Sequence, residues 1–304
     1  MPSDMPHFIL SHERIICFGT CPRRYAFTYV LRRPPEVVSL ALSLGKAVHD
    51  CIAHVERTGD PFEPDLSARL TALDASSAST FDLALSLMFM WHYWRRRRTE
   101  EDVRYVEHPF CLTTDAGIPF RGRIDRIAFH PGRSEWIVTD YKTGKSKTPR
   151  ASVATNLQLG IYALALSKLI PDTTPIQGEL VYLRDADTRA AQMVPGTLAW
   201  VEDRLDSAYR DILNARTYPA RRGWWCKSCK YSAGCRTLAA IPPSHLDALK
   251  ALAEAEDPTM RADAAAHLCT DRVAVADHAL RYAARYDPDP RVRHTAASDR
   301  GVRS

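Results

Sequence analysis

Asp140-Tyr141-Lys142 sets two opposite charges two residues apart, and on an extended chain such residues share a face. Upstream, Gly122-Arg123-Ile124-Asp125 brings a second carboxylate in a run that also reads as a strand. Pairing of the two runs through a turn at Pro131-Gly132 lets Asp125 meet Asp140 across the sheet. Two carboxylates at one spot repel unless a cation lies between them. Oxygen donors favour a hard divalent ion, Mg²⁺ or Mn²⁺. A lysine beside that ion can hold or deprotonate an attacking water and stabilise charge growing on a phosphate. Taken alone, Asp-x-Lys is equally the pattern of an ordinary surface ion pair.

Other residues carry weaker signals. Gly45-x3-His49 places an imidazole on an apolar helix, where a core histidine is the ordinary reading, and Gly45 allows close approach one turn earlier. Gln158-x3-Tyr162 puts an amide and a phenol on one helix face. Eight cysteines include the cluster Cys226-x2-Cys229-x5-Cys235 and an upstream pair, Cys17 and Cys21. With reduced thiols, such a cluster reads as a metal site rather than disulfides. Cys51, Cys111 and Cys269 read as small buried hydrophobes. Arg95 to Arg98, after Trp91, Tyr93 and Trp94, suits stacking on bases and phosphate contact, or simply a helix end. Arg221-Arg222 beside Trp224-Trp225 is similarly ambiguous.

The elements that must position these residues follow from periodicity. Helical spacing marks 39–56, 81–98, 151–169 (amphipathic) and 198–215, with a break at Asp60-Pro61 through Pro64-Asp65. Strands are expected at 103–112, 118–129, 135–142, 177–183 and 190–194. This order predicts an α/β fold with a mixed central sheet flanked by helices. Pro242-Pro243 marks a linker that few contacts should cross, dividing a 1–240 body from an all-α appendage at 241–304. In the appendage, Asp257-Pro258-x2-Arg261 and Asp289-Pro290-x2-Arg293 repeat at an offset of 32, like stacked helical pairs of HEAT or leucine-rich-variant type.

The 304 residues are 45% hydrophobic and 25% charged, an ordinary globular balance. No stretch is long and apolar enough to span a bilayer, and no signal peptide is visible, so a cytoplasmic protein is expected. The net charge is +5, while residues 241–304 carry nine Lys/Arg against ten Asp/Glu. The positive excess therefore lies in the body, which suits a polyanion, and the appendage is expected to bind phosphates poorly. No Gly-x4-Gly-Lys-Ser/Thr loop is present, so strand separation would need another protein, a helicase.

Together, Gly45-x3-His49, Gly122-Arg-Ile-Asp125, Asp140-Tyr-Lys142 and Gln158-x3-Tyr162, preceded by Cys21-Pro22, resemble the PD-(D/E)xK nuclease superfamily in its RecB-like branch. The resemblance covers roughly residues 8–238 and implies a restriction-endonuclease-like fold. It implies that His49, Asp125, Asp140 and the Tyr141 carbonyl hold the metal, that Lys142 is catalytic, and that Gln158 and Tyr162 touch the substrate or orient the site. It further implies a [4Fe–4S] cluster on Cys21, Cys226, Cys229 and Cys235, with structural Zn²⁺ as the alternative metal and Cys17 as an alternative ligand. The implied activity is metal-dependent DNA exonuclease cleavage of single strands or ends, in repair, recombination or defence, with 241–304 recruiting a partner. The rival readings are a non-catalytic nucleic-acid-binding protein and a zinc-stabilised interaction module on the same fold.

Overall fold

A computed structural model describes residues 8–36, 39–75, 77–170, 174–232, 235, 243–270 and 276–298. The chain divides into two compact units, residues 38–207 and residues 1–37 with 208–304.

In chain order the elements are α1 (His12–Thr20), α2 (Pro22–Tyr25), α3 (Leu40–Thr58), α4 (Phe62–Ala72) and α5 (Ala78–Arg95), then β1 (Asp102–Thr113), β2 (Pro119–His130) and β3 (Glu135–Lys142). There follow α6 (Leu157–Leu169), β4 (Ile176–Tyr182), β5 (Asp187–Gln192), α7 (Pro195–Asn214), α8 (Pro243–Glu254), α9 (Pro258–Thr270), α10 (Asp277–Tyr286) and α11 (Pro290–Ala297).

The unit 38–207 is built on a five-stranded sheet in the order β1-β2-β3-β4-β5. β3 and β4 run parallel, which requires the crossover helix α6, and the other neighbours are antiparallel. This is the mixed, helix-flanked α/β architecture that the order of periodicities predicts. Leu44, Val48 and Ile52 of α3 pack with Leu66 and Leu70 of α4, Leu87 and Trp91 of α5, and Tyr141 and Val181 of the sheet.

Three local expectations change. The Asp60–Asp65 break is shorter than expected: only Gly59, Asp60 and Pro61 separate the helices, with Gly59 closing α3 in the left-handed conformation (φ 76°) and α4 starting at Phe62. Pro64 is tolerated there because first-turn amides have no intrahelical acceptor. The helix expected from residue 151 begins at Leu157, where the Asn156 side chain accepts from the Leu159 amide at 3.0 Å. It is not amphipathic: every residue from Leu159 to Leu166 is buried.

The arginines at the end of α5 also look inward. Arg95 Nε donates to Glu56 at 2.9 Å, and Arg98 Nη1 donates to Glu101 at 2.6 Å and Glu179 at 3.1 Å. Arg126 of β2, fully buried, donates to Glu101 at 2.8 Å. Trp91 and Trp94 are buried as well. Arg95 and Arg98 thus serve a buried ion network, while Arg96, Arg97 and Tyr93 face solvent, with Arg97 over the Tyr93 ring at 4.1 Å.

In the unit 1–37 and 208–304, the C-terminal helices pack with the N-terminal ones. Arg14 of α1 pairs with Glu254 of α8, and both side chains are buried. Arg32 donates to the Ala253 carbonyl at 2.7 Å. Lys250 caps the end of α7 through the Leu213 and Ala215 carbonyls at 2.8 and 2.7 Å. The expectation that few contacts would cross the proline break therefore does not hold. Pro243 opens α8, and Pro242 lies outside the described residues. The two repeats are geometrically equivalent: Arg261 donates to the Ala255 and Glu256 carbonyls, and Arg293 to those of Asp287 and Pro288. Arg261 also forks onto both oxygens of Asp287 at 2.8 and 3.0 Å, joining one repeat to the next.

Candidate active site

β2 and β3 pair up to Arg126 opposite Thr139, one residue short of Asp125 and Asp140. Beyond that point the Tyr141 amide donates to Asp125 Oδ2 at 2.8 Å, so a side chain replaces the ladder. Both carboxylates are buried, with 7% and 2% exposure.

His49 comes to this spot from α3. A Cβ on Gly45, one turn earlier, would sit only 3.3 Å from Thr143 Oγ1, so the missing side chain lets the helix approach the end of β3. His49 Nε2 lies 3.0 Å from the Tyr141 carbonyl oxygen, which can only accept. That hydrogen bond leaves Nδ1 facing Asp125 Oδ2 at 3.4 Å and Glu107 Oε1 at 3.8 Å. Burial opposes charging the imidazole, but Asp125 and Glu107 outweigh it and raise the pKa well above the usual value.

Glu107 is the member that sequence reasoning missed. It sits in β1 between the pairs Val106–Arg126 and His108–Ile124, hence level with Asp125. Its φ is +50°, a left-handed conformation that is strained for a residue with a side chain. One ligand atom each from His49, Glu107 and Asp125 lie within 4.8 Å of one another. No local spacing ties Glu107 to the other two; only the β1–β2 register does.

Asp140 heads a neighbouring polar ring. Lys142 Nζ lies 2.7 Å from Asp140 Oδ2 and donates to Gln158 Oε1 at 2.7 Å. Gln158 Nε2 donates to Tyr162 Oη at 3.0 Å, and Tyr162 Oη returns to Asp140 Oδ1 at 3.5 Å. Burial pushes Asp140 up to about 6 even with Lys142 beside it. Its Oδ2 has the ion pair but no aligned hydrogen bond, so this buried oxygen keeps acceptor capacity. The expected residues of the sheet unit are thus brought together in two adjoining groups. Asp140 and the Tyr141 carbonyl are not part of the three-membered donor set: one is paired to Lys142, the other engaged by His49.

The donor set fits a hard divalent ion, with one imidazole and two carboxylates around an excess of negative charge and lone pairs.

The cysteines lie in the other unit. Cys21, Cys226, Cys229 and Cys235 line one cavity of about 630 Å³, together with Arg23, Arg24, Arg221 and Arg222. The Arg221 amide donates to Cys21 Sγ at 3.4 Å. Cys17 does not line the cavity, and burial raises its thiol pKa. Among the described residues no three of these thiols gather within 4.8 Å of one another.

The family model of the PD-(D/E)XK nuclease superfamily matches residues 9–236. The fold is similar to a solved structure from Eubacterium rectale described as a "Putative exonuclease" (14% identity, 77% of this chain and 89% of that chain, TM-score 0.48). It is also similar to that of SSO0001 (14% identity, 63% and 93%, TM-score 0.33). No curated protein sequence matches it. With the family model spanning three quarters of the chain and both acidic strands, the lysine and the four cavity-lining cysteines inside its bounds, this chain belongs to the PD-(D/E)XK nuclease superfamily.

Proposed function

We propose that the protein is a divalent-metal-dependent DNA exonuclease acting on single strands or DNA ends, in repair, recombination or defence. The observation that carries the catalytic reading is the adjacency of the His49, Glu107 and Asp125 donor set to the ring that holds the Lys142 amine. The choice of DNA and of ends rests on the likeness of the motifs to the RecB-like branch.

His49, Glu107 and Asp125 would hold Mg²⁺ or Mn²⁺, with Asp140 and the Tyr141 carbonyl within the same patch to complete the shell. Such an ion, when bound, neutralises phosphodiester charge and lowers the pKa of water. Lys142 is held by Asp140 on one side and Gln158 on the other, so its ammonium can orient a water and meet charge growing on the phosphate. Tyr162 fixes Gln158 and thereby the lysine.

The cysteine cavity supports a [4Fe–4S] cluster over Zn²⁺. Four thiolates on one zinc must sit about 2.3 Å from it, and hence within about 4 Å of one another. Four thiols lining a cavity of this size, with no three of them within 4.8 Å of one another, suit a multi-atom cluster.

Two measurements test the proposal. End-labelled single- and double-stranded DNA should be degraded only with Mg²⁺ or Mn²⁺, and Lys142→Ala should slow the reaction by roughly 10²–10⁴. Anaerobically purified protein should be brown and absorb near ~400 nm. Intact DNA after incubation with Mn²⁺ would refute the catalytic reading, and a colourless zinc-loaded protein the cluster.

A further inference from the structure

The proposed chemistry leaves one large feature unused. A groove of about 580 Å³ runs between α10 and the chain after α2, all within the unit 1–37 and 208–304. From α10 it is lined by Arg281, Tyr282, Arg285 and Tyr286, residues whose helical spacing puts them on one stripe. From the other side come Arg32, Arg33 and Lys230. Arg281 is paired with Asp277 at 2.6 Å. Among the described residues no carboxylate lies within ion-pair distance of the remaining four cations. Burial and the charge of Arg14 lower the pKa of Arg32, and its Nε is buried without a hydrogen-bond partner. Cations crowded together in this way call for an anion from outside.

The aromatic rings specify which kind. Tyr282 and Tyr286 are 45% and 57% exposed, with ring centroids 5.0 Å apart and tilted by 46°. Arg32 stacks over Tyr282 at 5.3 Å and Arg285 over Tyr286 at 5.2 Å. Exposed tyrosines interleaved with guanidinium groups match the needs of unpaired bases on a phosphate backbone, with rings to stack on and cations to follow the strand. A duplex hides its base faces and gains nothing from the tyrosines. An acidic peptide would use the cations alone.

We propose that this groove is a binding site for single-stranded nucleic acid, built by the C-terminal repeats and separate from the metal-binding residues. The inference rests on the nuclease reading only for its choice of polyanion. It also reverses the expectation, drawn from nine basic against ten acidic residues, that 241–304 makes a poor phosphate-binding surface. The acidic residues balance the charge of the segment as a whole, while α10 gathers its arginines on one stripe.

The test measures binding of the full-length protein to a fluorescein-labelled oligo(dT) by anisotropy in EDTA, where cleavage is off. Arg281→Glu/Arg285→Glu should weaken binding at least ten-fold. It should also flatten the slope of log affinity against log salt by about 0.7 for each phosphate no longer neutralised. Tyr282→Leu and Tyr286→Leu should each weaken binding about five-fold or more, because stacking is removed while apolar bulk remains. The melting temperature of each variant reports its folding. Wild-type affinity in the folded charge-reversal variant would overturn the proposal. So would equal losses for the single strand and a duplex of the same length, or displacement by polyglutamate as effective as by unlabelled oligo(dT). Cleavage assays with Mn²⁺ keep the two readings apart: tight binding without cleavage fails the nuclease reading and leaves the groove standing. Cleavage with the groove variants binding normally does the reverse.

Discussion

At the scale of single residues, the site turns on lone pairs facing one another. His49 Nδ1 and the carboxylates of Asp125 and Glu107 all present electron density to one point, and a proton on His49 is the smallest cation that relieves it. A divalent ion would do the same with more charge. Glu107→Gln keeps the shape and removes a charged donor, so Mn²⁺ affinity by isothermal titration should fall by about 10- to 100-fold, as when a metal's supporting shell is altered. Unchanged affinity would exclude Glu107 from the donor set. Lys142→Ala should lower the cleavage rate by roughly 10²–10⁴. Its effect on Mn²⁺ affinity should be small or favourable, because the ammonium competes with the ion for Asp140. Gln158→Leu should reproduce a fraction of the rate loss, because Lys142 would retain only one of its two tethers.

At the scale of elements, two buried ion networks hold the arrangement. In the sheet unit, burial works against the Glu101 carboxylate, but Arg126 and Arg98 overcome it and keep its pKa below the ordinary 4.5. A carboxylate depressed in the folded state stabilises above its unfolded pKa, and that contribution fades as pH falls through the folded value. Acid unfolding should therefore begin below about pH 4.5, and Glu101→Gln should be less stable at pH 7 with a shallower acid limb in circular dichroism. In the repeats, Arg261 and Asp287 join one helical pair to the next with both side chains nearly buried (11% and 7% exposed). Asp287→Ala leaves the guanidinium partly orphaned and should cost about 3–5 kcal/mol in chemical denaturation. The cost would be far smaller if water replaced the carboxylate.

At the scale of the molecule, the ends of the chain belong together. Truncation before Pro243 would remove Glu254 and Lys250, leaving Arg14 buried without its carboxylate and the end of α7 without its cap. Orphaning Arg14 alone should cost about 3–5 kcal/mol, so the truncated protein should melt markedly lower than the full chain. An unchanged melting temperature would mean that these interactions are dispensable. Cys229→Ser should lower folded yield more than Cys111→Ser, since Cys229 lines the cavity with Cys21 and Cys111 is an exposed residue of β1.

Element types were legible in the sequence because strand alternation and helical spacing are local properties of the chain. Asp125, Asp140 and Lys142 were legible for the same reason, since each is set by position along a strand next to a recognisable turn. Glu107 was not, because what makes it a candidate ligand is the register of β1 against β2 and a left-handed backbone, neither of which is written near it. The arginines after Trp94 read as either a nucleic-acid surface or a helix end, and the spacing did not show that Arg95 and Arg98 face Glu56, Glu101 and Glu179, the last of these far beyond Arg98 along the chain. The stripe on α10 was masked in the opposite sense, by averaging its charge with that of its neighbours. Composition and periodicity determined the α/β class and the chemistry available. Which charges meet, and which face outward, was decided only by tertiary packing, because electrostatic partners are chosen by distance in space rather than along the chain.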